Sequence, residues 1–227
     1  MTYLIVTPLQ EELNLLTQNM QTYGFVTQDQ MIGRIVARHV PALNLIMACG
    51  GLGKTQFGIQ TQHLLDFSRD TTAVICAGAA GALADYLKPG DLVVATTTVE
   101  HDCIYKFVKR PLPRFLGTDQ LIEQLQQIPP YDYPFTVHYG TIASGDEDIV
   151  DRSRAEEIFA RTGAIAVAWE GAGGARACAF SNVPFVEIRG LTDAADHDAP
   201  TDFDTNLALV MHNIALLVVQ WLRRVES

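Results

Sequence analysis

Acidic side chains recur where apolar runs end. Glu11 and Glu12 follow the run YLIV, Glu170 directly follows IAVAW, Thr192 and Asp193 close the run that begins at Phe185, and the glycine-rich AGAAGAL at 77–83 closes a fourth. Any one of these acids is accounted for by a helix N-cap or first-turn carboxylate. Recurrence at several run ends points instead to a shared site, because ligands of open α/β sheets bind beyond the carboxyl ends of the strands. Glu170 is the sharpest case. It precedes the small-residue run GAGGA with no cation nearby in the sequence to justify a buried charge, so a ligand hydroxyl or cation is its expected partner.

Other features carry less. CGGLGK at 49–54 fails the dinucleotide fingerprint and lacks the spacing of a phosphate-binding P-loop, so neither NAD nor ATP is expected. His197 among Asp193, Asp196 and Asp198 reads as a loop of solvated acids rather than a metal cluster. His101 and Asp102, after a strand, fit either a capped turn or the edge of a ligand pocket. Glu187 and Arg189 share a strand face at period two and are expected to form a buried ion pair. With 26 acidic against 16 basic residues the net charge is −10, which repels nucleic-acid polymers and anionic membrane surfaces. The local exception is KFVKRPLPR at 106–114, which gathers Lys106, Lys109, Arg110 and Arg114.

The elements that must position these residues follow from periodicity. A 48% hydrophobic, 19% charged chain of 227 residues is expected to fold as one domain over 1–227. The apolar stretches are shorter than the ~18 residues of a membrane span, and the first residues lead straight into an apolar strand, so neither a transmembrane helix nor a secretion signal is expected. Four cysteines without a CxxC pair, three of them in apolar runs, suit a reducing, cytoplasmic compartment. Strands are expected at 3–7, 72–77, 92–99, 135–144, 165–169 and 185–191, with a hairpin from 32–39 and 43–48 around Pro41 and a glycine turn at 78–82. Helices are expected at 11–20, from CGGLGK to about 67, and at 120–127, 153–161, 171–180 and 205–223. A long loop covers 101–119, and a shorter one, PPYDYP, covers 129–134. Doubly buried strands alternating with helices imply a mixed central sheet between helical layers.

Six segments in order, TPLQEEL, CGGLGK, AGAAGALADYLKPGDLVV, IASGDEDI, AWEGAGGARACAFSNVPFVEIRGLTDAADHD and the terminal helix, together resemble the purine nucleoside phosphorylase and nucleosidase superfamily over nearly the whole chain. Its methylthioadenosine/S-adenosylhomocysteine nucleosidase branch is the most similar, with EG and EIR features of futalosine hydrolases. The resemblance implies a three-layer α/β/α sandwich around a twisted mixed sheet, hydrolysis of the N-glycosidic bond of a 5′-modified purine nucleoside, no cofactor or metal, and a homodimer. Position by position, it implies that Glu12 activates the attacking water and Asp193, paired with Thr192, protonates the purine. Glu170, with Trp169 in place of the family's Met, would bind the ribose hydroxyls. Ala79 and Gly81 of the glycine segment and Asp148 and Ile149 of SGDEDI would line the substrate. Two positions depart from the pattern: Ala79 stands where a Ser is common, and Asp148 stands where an aromatic stacks on the base. Tyr105, Phe107, Lys109, Arg110 and Arg114 would line a 5′ pocket, implying an anionic 5′ substituent; a solvated basic loop is the other reading. A futalosine-type hydrolase, a phosphorylase and a non-catalytic binding or storage protein are the alternatives.

Overall fold

Successive residues of the first apolar run face opposite ways, and both faces are covered. In the computed structural model, which describes residues 2–129 and 133–225, strand β1 (Thr2–Thr7) sends Tyr3 and Ile5 into one hydrophobic cluster and Leu4 and Val6 into another. The first cluster is completed by α1 (Gln10–Thr22) and α6 (Ala199–Val225), the second by α2 (Lys54–Phe67) and α5 (Gly171–Ser181). Helices are thus required on both sides, and the three-layer α/β/α architecture follows.

Helix α6 carries the largest seam. Leu207, Val210, Met211, Ile214, Leu217, Val218, Trp221 and Leu222 recur at helical spacing, and all are buried; each contributes about 1.5–3 kcal/mol of hydrophobic stabilisation. By length and composition α6 could cross a membrane, contrary to the expectation that every apolar stretch falls short, but most of its apolar window is packed inside the fold. Apolar content here marks a core helix. It also begins at Ala199 rather than near 205, which brings Phe203 and Asp204 onto it.

The ten described strands join one mixed sheet. Next to β1 lie β4 (Leu45–Cys49) and β5 (Thr71–Ala82), both parallel to it; β3 (Ile35–Val40) and β2 (Gln28–Ile32) follow antiparallel beyond β4. On the other side the sheet curls. β5 pairs with β10 (Phe185–Asp193), β10 with β6 (Leu92–Glu100), β6 with β8 (Val137–Ser144), β8 with β9 (Ala166–Ala168), and β9 again with β5, closing a ring. Short β7 (Arg114–Leu116) adds to β6, and α3 (Asp119–Gln126) and α4 (Arg152–Thr162) complete the order. Asp151 caps α4, its Oδ1 accepting from the Ser153 N–H at 2.7 Å.

Three expectations are corrected. The hairpin around Pro41 is present as β3–β4, but its first limb breaks at Gly33, whose φ of +57° turns the chain back from β2. β2 itself, QDQMI, is mostly exposed at a sheet edge and so carries no hydrophobic signal. The glycine turn at 78–82 is strand: β5 runs unbroken to Ala82, and neither Gly78 nor Gly81 has a positive φ. The long loop at 101–119 contains β7 and the start of α3. Part of the PPYDYP loop lies outside the described residues.

Candidate active site

Three carboxylates from separate segments meet in one cavity of about 580 Å³. Glu12, in the first turn of α1, is 2% exposed. Its Oε2 accepts from the Leu9 N–H at 2.8 Å, one of the donors a helix start leaves unpaired, and its Oε1 accepts from the Ala79 N–H at 2.8 Å. Burial pushes its pKa up to about 7, although those two amides and the charge of Arg189 pull the other way. Asp193 ends β10. Its Oδ2 accepts from the Thr192 hydroxyl at 2.7 Å and its Oδ1 from the Ala195 N–H at 2.9 Å, and burial raises its pKa. Glu170 stands between β9 and α5, its Oε1 accepting from the Gly53 N–H at 3.1 Å, and burial raises its pKa too.

The close approach of these acids explains the glycines of β5. A Cβ on Gly78 would lie 2.6 Å from Glu12 Oε1, and one on Gly81 would lie 2.8 Å from Asp193 Oδ1. The two glycines make room for two carboxylates; they do not turn the chain.

Glu170 has a cationic partner after all. Arg189, 1% exposed, donates from Nη2 to Glu170 Oε2 at 3.1 Å, from Nε to Glu187 Oε1 at 2.8 Å and from Nη1 to the Ala79 carbonyl at 3.2 Å. The expected Glu187–Arg189 pair therefore forms and extends to a second acid. Burial works against the Arg189 charge, but the surrounding carboxylates outweigh it and hold the guanidinium protonated. Nineteen residues separate Arg189 from Glu170, so sequence proximity could not disclose the contact; the two-residue period from Glu187 through Arg189 to Asp193 was the available signal.

All nine positions expected to act on or bind the substrate line this one cavity: Glu12, Ala79, Gly81, Asp148, Ile149, Trp169, Glu170, Thr192 and Asp193. Leu9, Leu52, Phe203 and Asp204 line it as well and were not anticipated.

The chain and its fold are matched among known proteins. A family model described as "Phosphorylase superfamily" matches residues 2–223. The chain belongs to the phosphorylase superfamily. The 5′-methylthioadenosine/S-adenosylhomocysteine nucleosidase of Shewanella loihica is 31% identical over 209 residues, 87% of this chain and 90% of that protein. A Helicobacter pylori mutant of that nucleosidase, solved with 5′-methylthioadenosine in the active site, superposes with a TM-score of 0.87 at 25% identity, covering 98% of each chain. The Helicobacter pylori futalosine hydrolase has the same fold, with a TM-score of 0.88 at 24% identity over 98% of this chain and 97% of that one.

Within this superfamily fold, the remaining expected residues fall elsewhere. Tyr105, Phe107, Lys109, Arg110 and Arg114 do not line the cavity of their own chain. Phe107 is fully exposed, and Arg114 donates from Nη2 to the Thr162 carbonyl at 2.8 Å. Lys54, the cation of CGGLGK, is held by Glu100 Oε1 at 2.9 Å and Asp102 Oδ1 at 2.5 Å. That ammonium fills the space among Glu100, Asp102 and Cys103, whose ligand atoms lie within 4.8 Å of one another. Asp102 also accepts from the Asp146 N–H, 44 residues along the chain, at 3.1 Å. His197 and Asp198 are solvated, with His197 Nε2 and Asp198 Oδ2 3.4 Å apart. Ala79 forgoes a side-chain hydroxyl but keeps the backbone N–H that binds Glu12. Asp148 cannot stack on a base; Phe203 and Trp169 supply the cavity's aromatic surface.

Proposed function

We propose that this chain is a purine nucleosidase that hydrolyses the N-glycosidic bond of a 5′-modified nucleoside of the methylthioadenosine and S-adenosylhomocysteine type. The convergence of Glu12, Glu170 and Asp193 on one cavity carries this reading. Breaking the bond between ribose C1′ and the purine places positive charge on the sugar and negative charge on the base, so an acid is needed at one end and a base at the other. Asp193, its proton affinity raised by burial, donates a proton to the departing purine at N7. Glu12, ionised, takes a proton from the water whose oxygen bonds to C1′. Glu170, fixed by Arg189 and Gly53, orients the vicinal ribose hydroxyls beside the developing cation.

Water is favoured over phosphate as the nucleophile because Lys54, the cation of CGGLGK, is neutralised by Glu100 and Asp102, and Arg189 in the cavity wall is neutralised by Glu170 and Glu187. The protein is further proposed to work in the cytoplasm as a one-domain subunit of a homodimer. Exposed Ile104, Phe107 and Val108 in the segment after β6 support an interface there. In such a dimer the basic segment with Tyr105, Lys109, Arg110 and Arg114 would reach the 5′ end of the ligand in the neighbouring copy. Charge reversal of Lys109 and Arg110 should then alter KM for carboxylate-bearing substrates more than for 5′-methylthioadenosine.

The deciding experiment incubates the protein with 5′-methylthioadenosine, S-adenosylhomocysteine and futalosine, with and without phosphate. Free base without phosphate is the expected result. Base release only with phosphate would make the chain a phosphorylase, and tight binding without base release would make it a binding protein.

A further inference from the structure

Glu187 lies outside the cavity, yet it is wholly buried and bonded to Arg189, the one arginine among the described residues that lines it. Its Oε1 accepts from Arg189 Nε at 2.8 Å and its Oε2 from the Thr98 hydroxyl of β6 at 2.6 Å. The start of α5 leaves room for it: a Cβ on Gly171 would lie 2.1 Å from Glu187 Oε2. A buried carboxylate is costly, and a site that needed only an arginine to hold Glu170 would not require it. The pairing makes physical sense through Arg189. One guanidinium faces Glu170 and Glu187 directly, and it approaches Glu12 across the notch at Gly78, where a Cβ would lie 2.6 Å from Glu12 Oε1 and 3.0 Å from Arg189 Nη1. An acid on its inner side therefore reduces the positive field that its outer side presents to the cavity.

We propose that Glu187 is a positioning residue for the hydrolytic site: it fixes the plane of the Arg189 guanidinium and neutralises part of its charge, and so sets how readily Glu12 and Glu170 accept a proton. The proposal rests on the reading of Glu12 as the water-activating base. The charged and titratable groups around this cluster are Glu12 on α1, Cys49 on β4, Cys76 on β5, Glu170 at the start of α5, and Glu187 and Arg189 on β10. Cys76 Sγ accepts from Arg189 Nη2 at 3.4 Å, and burial raises the proton affinity of its thiol, which leaves Glu12, pushed up to about 7, as the group whose titration the guanidinium influences near neutrality.

The test is the pH profile of kcat/KM for base release from 5′-methylthioadenosine in wild type, Glu187→Gln, Glu187→Asp and Thr98→Val. Unmasking Arg189 in Glu187→Gln should move the acid limb to lower pH by about one unit, the low end of the effect of a nearby opposite charge. Glu187→Asp, which keeps the charge but withdraws it by one methylene, should fall between Gln and wild type. Thr98→Val loosens the same spot with both charges in place and should leave the limb where it is. The carboxyl resonance of Glu12, assigned by its loss in Glu12→Gln, should report the same shift in wild type and variants without turnover. If wild type released no base but that resonance shifted as stated, the hydrolase reading would fail, while the control of Glu12's proton affinity by Glu187 through Arg189 would stand. An unmoved or raised limb and resonance in Glu187→Gln would overturn the proposal, as would a Thr98→Val shift equal to that of Gln. Should the Gln variant not fold, a Glu187→Asp limb coincident with wild type would overturn it equally.

Discussion

Replacing Gly78 by Ala tests the site through a residue that performs no chemistry. Gly78 lies within β5 at an ordinary φ, so the backbone accepts alanine, and the loss of glycine's chain entropy alone would favour the variant by roughly 0.5–1 kcal/mol. The cavity argues otherwise. The new Cβ would lie 2.6 Å from Glu12 Oε1, 2.9 Å from Pro8 Cδ and 3.0 Å from Arg189 Nη1. Ordinary contact begins at 3.4 Å, so the Glu12 carboxylate must retreat by about 0.8 Å, away from the Ala79 N–H that holds it at 2.8 Å. A misplacement near 1 Å costs on the order of 10²-fold in rate, or about 2.7 kcal/mol of transition-state stabilisation. The assay is kcat/KM for base release in phosphate-free buffer, with circular dichroism and a thermal melt to establish that the variant is folded. A folded Gly78→Ala protein within twofold of wild type would refute the account of how Glu12 is held and the role assigned to it.

Other expectations follow from the same geometry. Glu12→Gln and Asp193→Asn should each lower turnover by at least ~10²-fold in the same assay while leaving nucleoside binding measurable by calorimetry. Because burial raises the Glu12 pKa to about 7 and a base must be ionised to take a proton, kcat/KM should fall as the pH drops through about 7; a profile flat down to pH 5 would exclude Glu12 as the base. Arg189→Leu leaves Glu170 and Glu187 buried without their cation and should cost about 3–5 kcal/mol in denaturant unfolding, well beyond the effect of losing an exposed pair such as Arg38–Asp29.

Legibility in the sequence tracked the kind of information each feature needed. β1, β4 and the start of β5 declared themselves because strands buried on both faces read as near-continuous apolar runs, whereas β10, equally buried, is interrupted by Glu187 and Arg189. β2 stayed hidden because an exposed edge strand needs no apolar residues. The cavity-lining acids were visible as types recurring at strand ends, and the family pattern attached positions to them. What surrounds them was not. The contact of Arg189 with Glu170 depends on β10 and the start of α5 lying side by side, and the role of Gly78 and Gly81 depends on which side chains pass within 3 Å of where a Cβ would stand. Both are facts of tertiary approach, and a glycine-rich run is more commonly a turn. Phe203 was missed for a simpler reason: the polar start of α6 blurred the point where the helix begins.

The division of labour proposed among the acids follows from unequal access to one cation. Glu12, Glu170, Glu187 and Asp193 surround the site, and Arg189 is the arginine or lysine among the described residues that lines the cavity. Burial raises the proton affinities of Glu12, Glu170 and Asp193, so ionising all three together is costly. Glu170 and Glu187 bond directly to Arg189, and Glu12 has two backbone N–H donors as well as the guanidinium's field. Asp193 has the Thr192 hydroxyl and the Ala195 N–H, while the charges that act on it, Asp202 and Asp196, are themselves acidic. On the proposed mechanism the retained proton is at Asp193, where a leaving purine needs one, and the free lone pair is at Glu12, where water must lose one. The buried Arg189 is what separates the acids in this proposal, and Gly78 lets the Glu12 carboxylate come close enough to feel it.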